Sequence, residues 1–124
     1  MSVTCRTEGM VGVTPEEIVA EQFAACNARD LDRFVGCFAD DVAVYGFPSG
    51  TEMLTAGDPT FRDTYRAVFD ASPTLHAELL SRIVHGRIVI DHEFVTGLRG
   101  DQTRTAAVIY EVSGTRIEKV WFVD

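Results

Sequence analysis

Between the apolar runs Ile88-Val89-Ile90 and Phe94-Val95 stand three consecutive ionisable residues, Asp91-His92-Glu93. Ionisable side chains are costly to bury without partners, so such a trio inside a strand-like segment points either to chemistry or to a charge network. The two-residue period of a strand sends Asp91 and Glu93 to one face and His92 to the other. All three converge on one ligand or metal only if a bulge intervenes. Asp91 and Glu93 are therefore the candidate catalytic residues. Two carboxylates within a few ångströms of each other divide into an acid and a base, because repulsion and desolvation raise one pKa. The competing reading pairs them with Arg82, Arg104 or His76 on adjacent strands, as an ion-pair ladder with no catalytic role. His92 reads as an interface histidine on the opposite face.

Gln22 and Tyr65 fall on apolar faces of predicted helices and could offer an amide and a hydroxyl to a ligand, as could Tyr110 from a strand; each reads equally well as a core residue. Phe23, Phe34, Phe38, Phe61 and Phe122 supply a candidate aromatic lining. Cys5, Cys26 and Cys37 are an odd number without CxxC spacing, which suggests neither a disulfide framework nor a zinc cluster. Cys26 and Cys37 read as small core residues. The sequence contains no Gly-rich phosphate loop, HExxH pair, GxSxG elbow or dinucleotide fingerprint, so neither a cofactor nor a metal is expected.

These residues need elements to position them. Thr14-Pro15-Glu16-Glu17 opens a first helix, with Thr14 as cap, Pro15 in the first turn and Glu17 reaching back as a capping box; its predicted buried face is Val19, Gln22, Phe23 and Cys26. Asp30 caps a shorter helix with a stripe of Leu31, Phe34, Val35 and Phe38. A short strand is predicted over 42–45, then a loop over 46–57. Asp58-Pro59 starts a third helix with Phe61, Tyr65, Val68 and Phe69 on its apolar side, ended by Pro73. Strands follow over about 74–84, 87–97, 103–113 and 116–123, with connections short enough to force antiparallel pairing.

Helices at one end and strands at the other describe an α+β domain, with three helices packed on one face of a curved, mainly antiparallel sheet. Apolar residues recur on both faces of that sheet: Ile117, Trp121 and Val123 alternate with Val120 and Phe122. Helices cover one face only, so Ile90, His92, Phe94, Ile109 and Trp121 on the other predict a homodimer through the convex face.

At 124 residues and 46% hydrophobic, the chain suffices for one core. It is expected to comprise a flexible segment over 1–13 and a single domain over 14–124. The net charge of −8, with basic residues scattered singly, disfavours nucleic acid and anionic membrane surfaces. No run has the length of a signal peptide or a membrane span, and a cytoplasmic location is expected.

The order helix, helix, strand, helix, four strands resembles the cone-shaped nuclear-transport-factor-2-like superfamily, in its SnoaL-like and ketosteroid-isomerase-like branch, across nearly all the chain after Thr14. The most specific stretch is Asn27-Ala28-Arg29-Asp30-Leu31-Asp32 followed by Phe38-Ala39-Asp40-Asp41-Val42. It is a helix stop, a new cap and an exit into a strand, and so reports fold rather than chemistry. The resemblance does not carry the steroid isomerase mechanism: Gln22, Gly46 and Val108 stand where those enzymes place a tyrosine and two aspartates. Limonene epoxide hydrolase is similar in outline; Asp91 matches its strand aspartate, but Val89 and Phe122 replace its arginine and last aspartate. The resemblance implies that Asp91, Glu93 and Val95 face the concave side with Val108, Tyr110, Val120 and Phe122. The resulting expectation is a pocket for a small hydrophobic molecule, with Gln22, Tyr65, Tyr110, Phe61, Val108 and Phe122 contacting it. Asp91 or Glu93 would be the base in cofactor-independent isomerase, cyclase or hydratase/hydrolase chemistry. The alternative is a non-catalytic ligand-binding or dimeric interaction module of the same fold.

Overall fold

Thr14 begins the ordered architecture. In the computed structural model, which describes residues 13–54 and 60–123, its hydroxyl accepts a hydrogen bond from the Glu17 backbone N–H while the Glu17 carboxylate accepts from the Thr14 N–H. This closes the expected capping box at the start of α1 (Pro15–Ala28). The expected N-terminal segment before Val13 and the Asp58-Pro59 helix start lie outside the described residues.

α1 ends at Arg29, in the left-handed region with φ 52°. Its guanidinium donates to the Leu75 carbonyl at 2.7 Å. Asn27 behaves as one more strand residue: its amide donates to the Ala77 carbonyl at 3.0 Å and accepts from the Ala77 N–H at 2.7 Å. The stretch that carried the family resemblance thus clamps the end of α1 to the start of β3 (His76–His85).

Asp30 caps α2 (Leu31–Val35), which stops at Gly36. Phe38, expected on the stripe of that helix, instead opens β1 (Phe38–Phe47), four residues earlier than the predicted strand. Its ring is buried either way, packed at 5.0 Å on both Phe34 and Phe61, so hydrophobic spacing alone did not separate the two states. The loop predicted after it contains a short additional strand, β2 (Glu52–Leu54). α3 (Thr60–Asp70) turns Phe61, Tyr65 and Phe69 inward, where they form one aromatic cluster with Phe34 and Phe38.

β3 is followed by β4 (Ile88–Leu98), β5 (Gln102–Ser113) and β6 (Arg116–Val123), paired antiparallel as their short connections require. The sheet order is β2-β1-β6-β5-β4-β3, with β1 and β6 parallel. Ile117, expected on the same face as Trp121, is fully buried. The pairs Val112–Ile117 and Glu111–Lys119 leave Glu118 as an extra residue, and this bulge shifts the alternation by one. Cys37, read as a plain core cysteine, is disulfide-bonded. No helix among the described residues is long and apolar enough to cross a membrane.

Candidate active site

A bulge does interrupt the sheet beside the acidic trio, but on the neighbouring strand. Leu79 pairs with Glu93 and Ser81 with His92, leaving Leu80 unpaired in β3. Alternation along β4 is therefore intact: Asp91 and Glu93 are buried on the concave face and His92 is exposed on the other.

The two carboxylates have different surroundings. Asp91 is fully buried, and Arg82, its cross-strand neighbour, donates through Nε and Nη2 to its two oxygens at 2.6 and 2.8 Å. This bidentate pair is the ion-pair reading realised for one residue: both oxygens are engaged, and removing either partner would strand a charge in the core. Glu93 lies two residues along, opposite Ala106 of β5. No described residue donates a hydrogen bond to its side chain, and its oxygens remain reachable from a cavity. Burial, reinforced by the nearby charge of Asp91 and opposed by Arg82, pushes its carboxyl from 4.5 up to about 7.

That cavity encloses about 470 Å3 between the sheet and the helices, within the range of small-molecule sites. Its floor is buried and comprises Glu93, Val44, Val108, Phe69 and Leu75. Cys26, Tyr65, Val68, Val95, Ala106 and Phe122 make up partly buried walls. Burial pushes the Cys26 thiol up to about 12, with Glu93 adding to the effect, so it remains a thiol. Burial likewise raises the Tyr65 and Tyr110 phenols, both in the field of Glu93, and they remain hydrogen-bond donors at neutral pH.

Of the residues expected to contact a ligand, Tyr65, Val108 and Phe122 line this cavity together with Glu93. Gln22, Phe61, Tyr110 and Asp91 do not. Gln22 turns back on its own helix, donating to the Val19 carbonyl at 3.3 Å. Phe61 belongs to the aromatic cluster, its ring 5.1 Å from Tyr65. Tyr110 is packed in the core two residues along β5 from Val108, close enough to Asp91 and Glu93 to feel both. Among the described residues no group of three or more His, Cys, Asp or Glu is arranged to hold a metal ion.

The rim was not anticipated. Met53, Arg99, Gln102 and Arg104 are exposed and surround the opening. Arg99 sits in the β4–β5 turn at φ 48°, a left-handed conformation that costs an ordinary residue roughly 1–2 kcal/mol. Two contacts hold the turn there. Its N–H donates at 2.8 Å to the hydroxyl of fully buried Ser72, and Gly97, at φ 68°, lies so near Thr74 that a Cβ would stand 2.3 Å from the Thr74 carbonyl oxygen. Only the glycine pattern around 97–100 hinted at a specialised turn.

The SnoaL-like domain model matches residues 19–120. The chain belongs to the SnoaL-like domain family. Solved structures agree on the fold of this SnoaL-like protein. An uncharacterised cystatin-fold protein from Novosphingobium aromaticivorans is 26% identical, with a TM-score of 0.80 over 91% of this chain and 100% of that one. A candidate ketosteroid isomerase from Kribbella flavida is 15% identical, with a TM-score of 0.71 over 88% and 76%. A candidate polyketide cyclase from Sinorhizobium meliloti is 21% identical, with a TM-score of 0.69 over 86% and 93%. At such identities the last two establish shared architecture rather than shared reaction. No curated protein matches the chain in sequence.

Proposed function

We propose that this SnoaL-like protein binds a small, mainly apolar molecule in the cavity and carries out cofactor-independent acid/base chemistry on it, with Glu93 as the proton-transferring group. The observation that carries this reading is the contrast between the two carboxylates. Asp91 is tied to Arg82 and Glu93 is left facing the cavity with a carboxyl that titrates at about 7. A group poised there is a competent base when ionised and a competent acid when protonated, near neutral pH. Isomerisation, cyclisation and hydration all begin with such a transfer, and relatives of the same architecture include a candidate ketosteroid isomerase and a candidate polyketide cyclase. In this reading the Glu93 carboxylate removes a proton from a carbon next to a carbonyl, the electron pair moves onto the carbonyl oxygen, and the protonated Glu93 returns the proton to the same carbon or, where a double bond is conjugated with the enolate, to the far end of that double bond. Tyr65, kept protonated by burial, is the available donor toward developing negative charge.

The test needs no knowledge of the natural substrate. A panel of cyclic and aryl ketones is incubated in D2O and deuterium entering beside the carbonyl is followed by mass spectrometry. A positioned base accelerates exchange by about 100- to 10,000-fold, and Glu93→Gln should abolish the acceleration. Ketones that bind without any exchange would instead support the non-catalytic carrier reading.

We infer a homodimer as well. Ile83, Ile90, Ile109, Trp121 and Tyr45 are successive cross-strand partners and form an apolar row across five strands on the convex face. The helices occupy the opposite face, and a second copy is the simplest cover.

A further inference from the structure

The chain carries 19 acidic and 11 basic residues, yet among the described residues the charged side chains lining the cavity are Glu93, Arg99 and Arg104. The net charge of −8 is locally reversed there, the more so because burial keeps Glu93 protonated until about 7.

The two arginines are also uncommitted. Elsewhere among the described residues Arg29 is engaged on the Leu75 carbonyl, Arg33 on Glu21, Arg62 on Asp32, Arg82 on Asp91 and Arg87 on Glu111, and Arg66, which has no such partner, lies on the exposed side of α3 away from the cavity lining. Neither the Arg99 nor the Arg104 guanidinium has a hydrogen bond or ion pair to a described residue. Arg29 and Arg99 share the left-handed backbone, but the Arg29 guanidinium closes a structural contact, whereas that of Arg99 borders the opening. The turn bearing Arg99 is held by Ser72 and Thr74, so a strained conformation is maintained at the cavity mouth with no structural use for the cation it presents. Arg104, opposite Val95 on the concave face, approaches the same opening from β5.

We propose that Arg99 and Arg104 form a recognition site for an anionic group, of carboxylate type, at one end of a ligand whose apolar body occupies the cavity. This deepens the proposed function and rests on the cavity being a ligand site. Guanidinium forks suit a planar carboxylate, which would remain at the partly hydrated rim while the apolar body displaces water from the floor. The ligand class is thus an amphipathic organic acid rather than a neutral hydrocarbon-like molecule.

The test compares 5-phenylpentanoate with its neutral counterpart 5-phenylpentanamide by isothermal titration calorimetry at pH 7.5. The proteins are the unmodified chain, the double variant Arg99→Asn/Arg104→Gln, and Ala106→Trp, which fills the cavity. Asn tolerates the left-handed backbone, so the first substitution removes charge without adding strain. The expected result is roughly tenfold tighter binding of the carboxylate than of the amide. The double variant should lose that preference while keeping amide affinity, and Ala106→Trp should bind neither. Equal affinities for the two compounds in the unmodified chain, or equal weakening of both in the double variant, would overturn the anion site and leave the cavity reading intact. Binding of neither compound, or undiminished binding to Ala106→Trp, would contradict the cavity reading and the anion site with it.

Discussion

Glu93 and Asp91 differ by two positions on one strand, and the difference in their chemistry comes from cross-strand neighbours: Asp91 faces Arg82, and Glu93 faces Leu79 and Ala106. Between 4.5 and about 7 the folded protein holds a proton on Glu93 that the unfolded chain has released, so stability falls as pH rises through that window. Replacing Glu93 with Gln should therefore raise stability at pH 8, on the order of 2–3 kcal/mol, and change it little at pH 4.5. Chemical denaturation at the two pH values checks this. Asp91→Ala should act oppositely, costing about 3–5 kcal/mol because Arg82 is left unpaired in the core. The same substitution should move the Glu93 titration below about 7, since it removes a charge that raises it and frees one that lowers it.

The elements were legible to the extent that their determinants are local. The capping box at Thr14, the cap at Asp30 and the alternation through Asp91 and Glu93 depend on neighbours a few residues away. Phe38 in β1, the short strand β2 and the core position of Ile117 depend on chain reversal and on register with distant strands, and an apolar spacing is compatible with more than one answer. The rim escaped for the same reason. That Arg99 borders the opening follows from the docking of the β4–β5 turn on Ser72 and Thr74, a contact across 27 positions in the case of Ser72. Gly97→Ala tests that docking directly, because the new methyl group would collide with the Thr74 carbonyl in a backbone conformation that already disfavours side chains. A loss of about 2–4 kcal/mol is expected by thermal or urea unfolding.

For the molecule as a whole, one curved sheet serves two purposes. Its concave face, with the helices, encloses the cavity and the carboxylates, and its convex face presents the apolar row from Ile83 to Tyr45. Sedimentation velocity at micromolar concentration should give twice the monomer mass, and Ile109→Glu should return the protein to a monomer with its fold intact by circular dichroism.

The central claim is that Glu93 faces the cavity as an acid/base group poised near neutrality. An NMR titration of glutamate side-chain carboxyl carbons, assigned with Glu93→Gln, measures this. A Glu93 midpoint near 7 is the predicted result. A midpoint at the ordinary carboxyl value of about 4.5 would contradict it.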